Sequence, residues 1–136
     1  MPDPSLELQK AIVARLRADA DLTAIVAGRI YDAPPINPTF PYVTLGEADV
    51  VVQRADCYDG SEVSMSVHGW SRATGFPEVK RIAAAIRASL HEAPLELADG
   101  ERLVDIEVTD NRALRDPDGL TSHAVVTAHA YTEPTD

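Results

Sequence analysis

The side chains best suited to metal or nucleophile chemistry here are four histidines (His68, His91, His123 and His129) and a single cysteine, Cys57. His123 and His129 fall on one face of the same predicted strand, where six strand steps put them roughly 20 Å apart, too far for one metal ion. His68 lies on another predicted strand and can oppose either of them across a sheet. Strand-face histidines are nevertheless most often polar surface groups, and nothing here has the ligand set of a tetrahedral site. Asp116-Pro117-Asp118-Gly119 has the opening of a calcium loop but lacks the later ligands and the closing bidentate glutamate. A proline-containing turn between strands accounts for it. Cys57 has no activating neighbour in sequence and reads as a solvated loop thiol. Trp70 reads as a core or interface anchor rather than a ligand platform. A glycine-rich phosphate loop, a G-x-S-x-G elbow and an H-E-x-x-H pair are all missing from the sequence. The expectation is a protein with no catalytic, cofactor-binding or metal-binding residue, and so not an enzyme.

Composition sharpens that reading. The 136 residues suit one domain spanning 1–136, with residues 1–4 and 133–136 expected to be flexible ends. A formal net charge of −10 repels a phosphate backbone, and the 12 lysines and arginines are scattered rather than gathered into a basic patch. Sequence-independent nucleic-acid binding is therefore disfavoured. The N-terminal Met1-Pro2-Asp3-Pro4 has neither a basic nor an apolar region, and no apolar run reaches spanning length. Membrane and secretory readings are set aside, and a lone cysteine suits a reducing cytoplasm.

The elements that would position these residues follow from hydrophobic period. Val63, Met65 and Val67 alternate with Glu62, Ser64, Ser66 and His68, as on a strand with one buried face. After a break at Gly69-Trp70-Ser71, Val79, Ile82, Ala83, Ile86 and Leu90 recur along one helical stripe. Upstream, Ser5 is placed to cap a helix carrying Leu8, Ile12, Val13 and Leu16, and Asp21 a short one ending near Gly28. Residues 29–32 then run extended. Ala33–Pro41, with prolines 34, 35, 38 and 41, forms an extended surface arm. A strand from Tyr42 pairs with the central one through a polar loop, Arg54–Gly60, turning at Asp59-Gly60. Pro94–Leu103 suggests a small hairpin turning at Asp99-Gly100. Val104, Ile106 and Val108 share one face of a third strand. Arg112–Gly119 forms a second polar loop before a fourth strand from Thr121 to Tyr131. The fold class expected is α+β: a mainly antiparallel four-stranded sheet with two main helices packed on one face, in the order α-α(short)-β-β-α-β-β.

Several segments, taken in order, resemble one family. They are Leu22–Tyr31, Phe40–Gly46, Gly60–Val67, Trp70-Ser71, Gly75–Ala85, and Asp116–Gly119 with His123-Ala124-Val125-Val126. Together they span roughly Leu6 to Tyr131 and are similar to the tail terminator (tail completion) proteins of long-tailed phages and phage-like gene transfer agents. The resemblance implies a structural virion protein, made in the bacterial cytoplasm and placed at the tail–neck junction. Its expected state is a homo-hexamer ring that ends the tail tube and meets the neck or stopper protein, with DNA passing through the lumen without specific binding. Arg54, Asp56, Tyr58 and Asp59 in one loop, and Arg112, Arg115, Asp116 and Asp118 in the other, are the candidate contacts to those partners. The arm residues Pro34, Pro35, Ile36, Pro38 and Phe40 are the candidate contacts to the adjacent subunit. Two other readings stay open, another neck component such as a stopper or adaptor, and a small-molecule-binding α+β domain with a cleft near Trp70 and His68.

Overall fold

The computed structural model describes residues 3–55, 58–98 and 100–135. Helix α1 (Pro4–Ala18) starts two residues earlier than the serine signal implies, because the Asp3 carboxylate, accepting the Ser5 N–H at 2.9 Å, is the cap. Pro4 then sits where a missing N–H costs nothing. Asp19 ends α1 and also caps α2 (Ala20–Val26), accepting the Leu22 N–H at 2.9 Å, so Asp19 rather than Asp21 is the cap.

Five strands follow in place of the expected four. β1 (Ile30–Tyr31) is short, and β2 (Tyr42–Ala55) and β3 (Tyr58–Ser71) form a long hairpin. Helix α3 (Pro77–Leu90) leads to β4 (Glu101–Arg115) and β5 (Ser122–Pro134). The sheet order is β1-β2-β3-β5-β4. β1 is the unforeseen strand. Arg29 O accepts the Val43 N–H, and the two residues Ile30 and Tyr31 run parallel to β2, so the sheet is mixed. Two residues are too few to show any period in sequence, which is why the segment reads only as extended.

The long strands also run past their expected ends. Arg54 pairs with Asp59 and Ala55 with Tyr58, so most of the expected Arg54–Gly60 loop is strand. Likewise β4 continues to Arg115, which pairs with Ser122. Glu133 and Pro134 lie within β5, and Asp3 caps α1, which Pro4 begins. The segment expected as a hairpin before Gly100 has no strand among its described residues, and Asp99 lies outside them.

All three helices cover one face of the sheet. Val63, Met65 and Val67 of β3, Ala124, Val126, Ala128 and Ala130 of β5, and the α3 stripe Val79, Ile82, Ala83, Ile86 and Leu90 join α1 in one buried cluster. Gly69 permits the close approach of α3: a Cβ there would stand 2.7 Å from Ile82 Cγ2. Ser71, fully buried at the end of β3, donates to Glu78 at 2.7 Å and accepts the Ala73 N–H at 3.1 Å, tying strand to helix. On β4 the expected alternation slips at two bulges. Ile106 and Val108 stay buried, while Val104 is 51% exposed.

Candidate interaction surfaces

The face of the sheet away from the helices is uncovered. Strand register places Tyr42, Thr44, Asp49 and Val51 of β2 on it, with Glu62, Ser64, Ser66, His68 and Trp70 of β3. His123, Val125, Thr127, His129, Tyr131 and Glu133 of β5 share it with Arg102, Asp105, Glu107, Asp110, Arg112 and Leu114 of β4. Carboxylates outnumber guanidinium groups there. Such a surface is wetted and repels polyanions.

One end of this face carries a row of rings. Phe40, Tyr42, Trp70 and His123 follow one another with centroids 5.0, 6.0 and 3.8 Å apart, the last pair nearly coplanar in orientation at 10°. The Arg72 guanidinium lies 4.3 Å over Phe40, and Trp70 Nε1 donates to Thr44 Oγ1 at 3.0 Å. Trp70 is thus an anchor on the open face, not in the core, and its flat contact is a histidine. His68 Nδ1 and His123 Nε2 are hydrogen-bonded, and Ser66 Oγ meets His68 Nε2 at 3.1 Å. Gly46 makes room for this: a Cβ there would fall 2.3 Å from both His68 Nε2 and Ser66 Oγ. The approach of His68 to a β5 histidine that the sequence allows therefore occurs, diagonally across the register, with His123. Among the described residues no three histidine, cysteine or carboxylate groups converge as metal ligands would.

The histidine pair makes stability pH-dependent. A hydrogen bond between two imidazoles needs at least one neutral ring. Burial holds His68 below its ordinary value of 6.5, against the pull of Glu47. His123 is lowered first by burial and then by His68, with Asp116 opposing and Arg112 adding. A base whose folded value is depressed stabilises the fold above its unfolded value and loses that contribution as pH falls through the folded one. The unfolding temperature is therefore expected to drop as pH falls below 6.5, more steeply than in a His68→Gln/His123→Gln variant. Scanning calorimetry giving parallel profiles for the two proteins would contradict this.

The two candidate partner loops stand at opposite ends of the sheet. The last described pair of the β2–β3 hairpin, Ala55 with Tyr58, lies beyond the Ser61–Thr132 pair, whereas the β4–β5 turn at Asp116–Thr121 lies beyond Ser71–Ser122. The ten residue steps between those pairs span roughly 33 Å. Of the first loop's candidates, Arg54, Tyr58 and Asp59 lie in paired strands and Asp56 lies outside the described residues, as does Cys57. Of the second, Arg112 and Arg115 belong to β4, so the two arginines and the two aspartates are not one loop. Asp118 shapes the turn, accepting the Leu120 and Thr121 N–H groups at 2.8 and 2.9 Å. Asp116 stands 3.9 Å from His123 Nδ1.

Within the arm, Pro34, Pro35 and Ile36 are exposed, Ile36 by 92%. Pro38 and Phe40 are half-buried, Phe40 by its own chain. Sequence gave no sign of the aromatic row, because Tyr42, Trp70 and His123 become neighbours only through strand register. Among the described residues no helix is long and apolar enough to cross a membrane.

Residues 10–133 match the family model for tail completion protein gp17. A chain in the structure of the virion of a native gene transfer agent (GTA) particle is 32% identical, covering 95% of this chain and 96% of its own, with a TM-score of 0.87. The bacteriophage SPP1 gp17 protein shares the fold at 22% identity and a TM-score of 0.63, over 93% of this chain and 88% of that one. No curated protein matches the chain.

Proposed function

The chain belongs to the tail completion protein gp17 family, and on that premise we propose that it is a structural component of a phage or gene transfer agent tail. In this reading six copies close a ring that ends the tail tube, meets the head–neck connector and lets DNA through. The chain performs no catalysis and carries no cofactor.

The observation that carries the reading is the placement of the two turns. A subunit held between a tube below and a neck above needs one contact element at each end, and the Ala55–Tyr58 end of the β2–β3 hairpin and the β4–β5 turn lie at opposite ends of the sheet. The uncovered face supports a lumen. Asp49, Glu62, Asp105, Glu107, Asp110 and Glu133 outweigh Arg102 and Arg112 on it, and repeated around a ring it would pass a polyanion without holding it. The helices, whose polar faces are already solvated, would then form the outside.

The test is the mass of the purified chain by light scattering, alone and with tail tubes. From a 14.7 kDa chain a particle about six times that mass is expected in at least the second condition. A mass that stays at one chain with tubes present defeats the ring. A neutral lumen variant, Glu62→Gln/Glu107→Gln, should assemble as before yet retain DNA during ejection, seen as slower or incomplete genome release. Ejection indistinguishable from the parent would remove the electrostatic role of that face.

A further inference from the structure

A ring is closed by heterologous contacts, so each copy needs two different and complementary surfaces on opposite edges. We propose, resting on the ring reading above, that the proline arm of one copy docks into the groove between α3 and β4 of the next copy, with Ile36 as the inserted side chain. The groove encloses about 380 Å³ and is lined by Phe76 and Lys80 of the α3 start and by Asn111 and Ala113 of β4. Phe76 and Ala113 give the groove its apolar contacts, Asn111 gives it a polar one, and its rim is cationic. The Arg115 guanidinium lies 4.8 Å, and the Lys80 ammonium 5.7 Å, from the centroid of the Phe76 ring. Neither cation has a carboxylate partner among the described residues.

The arm has the matching character. Between Tyr31 and Tyr42 it carries Asp32, four prolines and Ile36, and no lysine or arginine. Ile36 is 92% exposed, an unusual state for an isoleucine on a segment whose prolines already limit its freedom. A pre-ordered proline segment sets an apolar side chain against the Phe76 ring and Ala113 at low entropic cost. Asp32 supplies the charge the rim lacks, and Glu47 and Asp49 at the β2 bulge keep the same edge acidic. Geometry agrees. The arm joins β1 to β2 at one edge of the sheet, the groove borders β4 at the other, and both lie toward the end bearing the β4–β5 turn. Copies related by rotation would thus present arm to groove at every joint.

The decisive experiment places Ile36→Cys and Ala113→Cys, singly and together, in a Cys57→Ser background. Each protein is treated with a short bismaleimide in the presence of purified tail tubes, covalent products are resolved by denaturing electrophoresis, and native mass is read by light scattering. The double variant is expected to give a ladder of covalent multimers up to six, and each single variant nothing beyond two. Ile36→Asp, at a position exposed enough to leave folding intact, is expected to raise the protein concentration needed for assembly about tenfold or more. Particles of ring mass without the ladder would overturn the docking while leaving the ring. A mass of one chain with tubes present would overturn the ring itself, and the docking with it.

Discussion

Ile82→Ala is expected to destabilise the fold by about 4 kcal/mol, near the upper end of what a buried isoleucine costs. Ile82 is fully buried on α3, and the site beneath it is Gly69, with Ala124 next to it. Neither has a side chain that can swing into the space left behind, so the cavity stays open and its full cost is felt. For a chain of this length that shifts the midpoint of thermal unfolding down by roughly 10–15 °C. The same geometry predicts a sign reversal. Gly69→Ala in the parent places a Cβ 2.7 Å from Ile82 Cγ2 and is expected to cost about 1–3 kcal/mol through overpacking. In the Ile82→Ala background the added methyl has room, and Gly69→Ala should become neutral or stabilising. Denaturant unfolding of the four proteins gives the coupling directly, and additive losses would show that α3 does not rest on Gly69.

That contact also marks how far the fold was legible before the structure. The α3 stripe and the alternations on β3 and β5 are long regular patterns, and each places its residues on the buried side as read. β4 was harder, because its two bulges shift which residues point inward and its exposed Val104 mimics a core position. β1 was not legible at all, since its two residues pair through Arg29 O and Val43 rather than through any pattern of their own. Turn chemistry misled at Asp59-Gly60, a strong turn signal that the hairpin register absorbs into β3. The first candidate loop was therefore drawn too wide on both sides and the second too early along β4, while the exposed Ile36 stood where composition put it. The aromatic row and the groove beside Phe76 join residues from separate elements, and only register and helix placement bring such groups together.

Altering either end of the sheet is expected to break a different junction of the assembled particle. At one end, residues 54–59 can be removed and Gln53 joined to Gly60 through Asn-Gly. These two residues are already paired across the hairpin, so a two-residue turn preserves the register. At the other, Leu120→Glu places a charge on an apolar side chain that is 69% exposed and leaves the Asp118 contacts of the turn in place. Both proteins should keep the parent unfolding temperature and ring mass, because the core and the arm are untouched. Losing a contact of about 2 kcal/mol per copy lowers occupancy of a junction roughly thirtyfold, and the copies of a ring act together, so the loss of joined particles should be larger still. The two variants should differ in what accumulates. One leaves capped tails that do not meet heads, and the other leaves rings that do not sit on tubes. Electron microscopy of the products distinguishes these outcomes. If both variants accumulate the same species, the two ends face one partner and the sheet does not stand between tube and neck. If particles join normally in both, contact is made through the strand edges instead, and the acidic face between the ends loses its place as the wall of a channel.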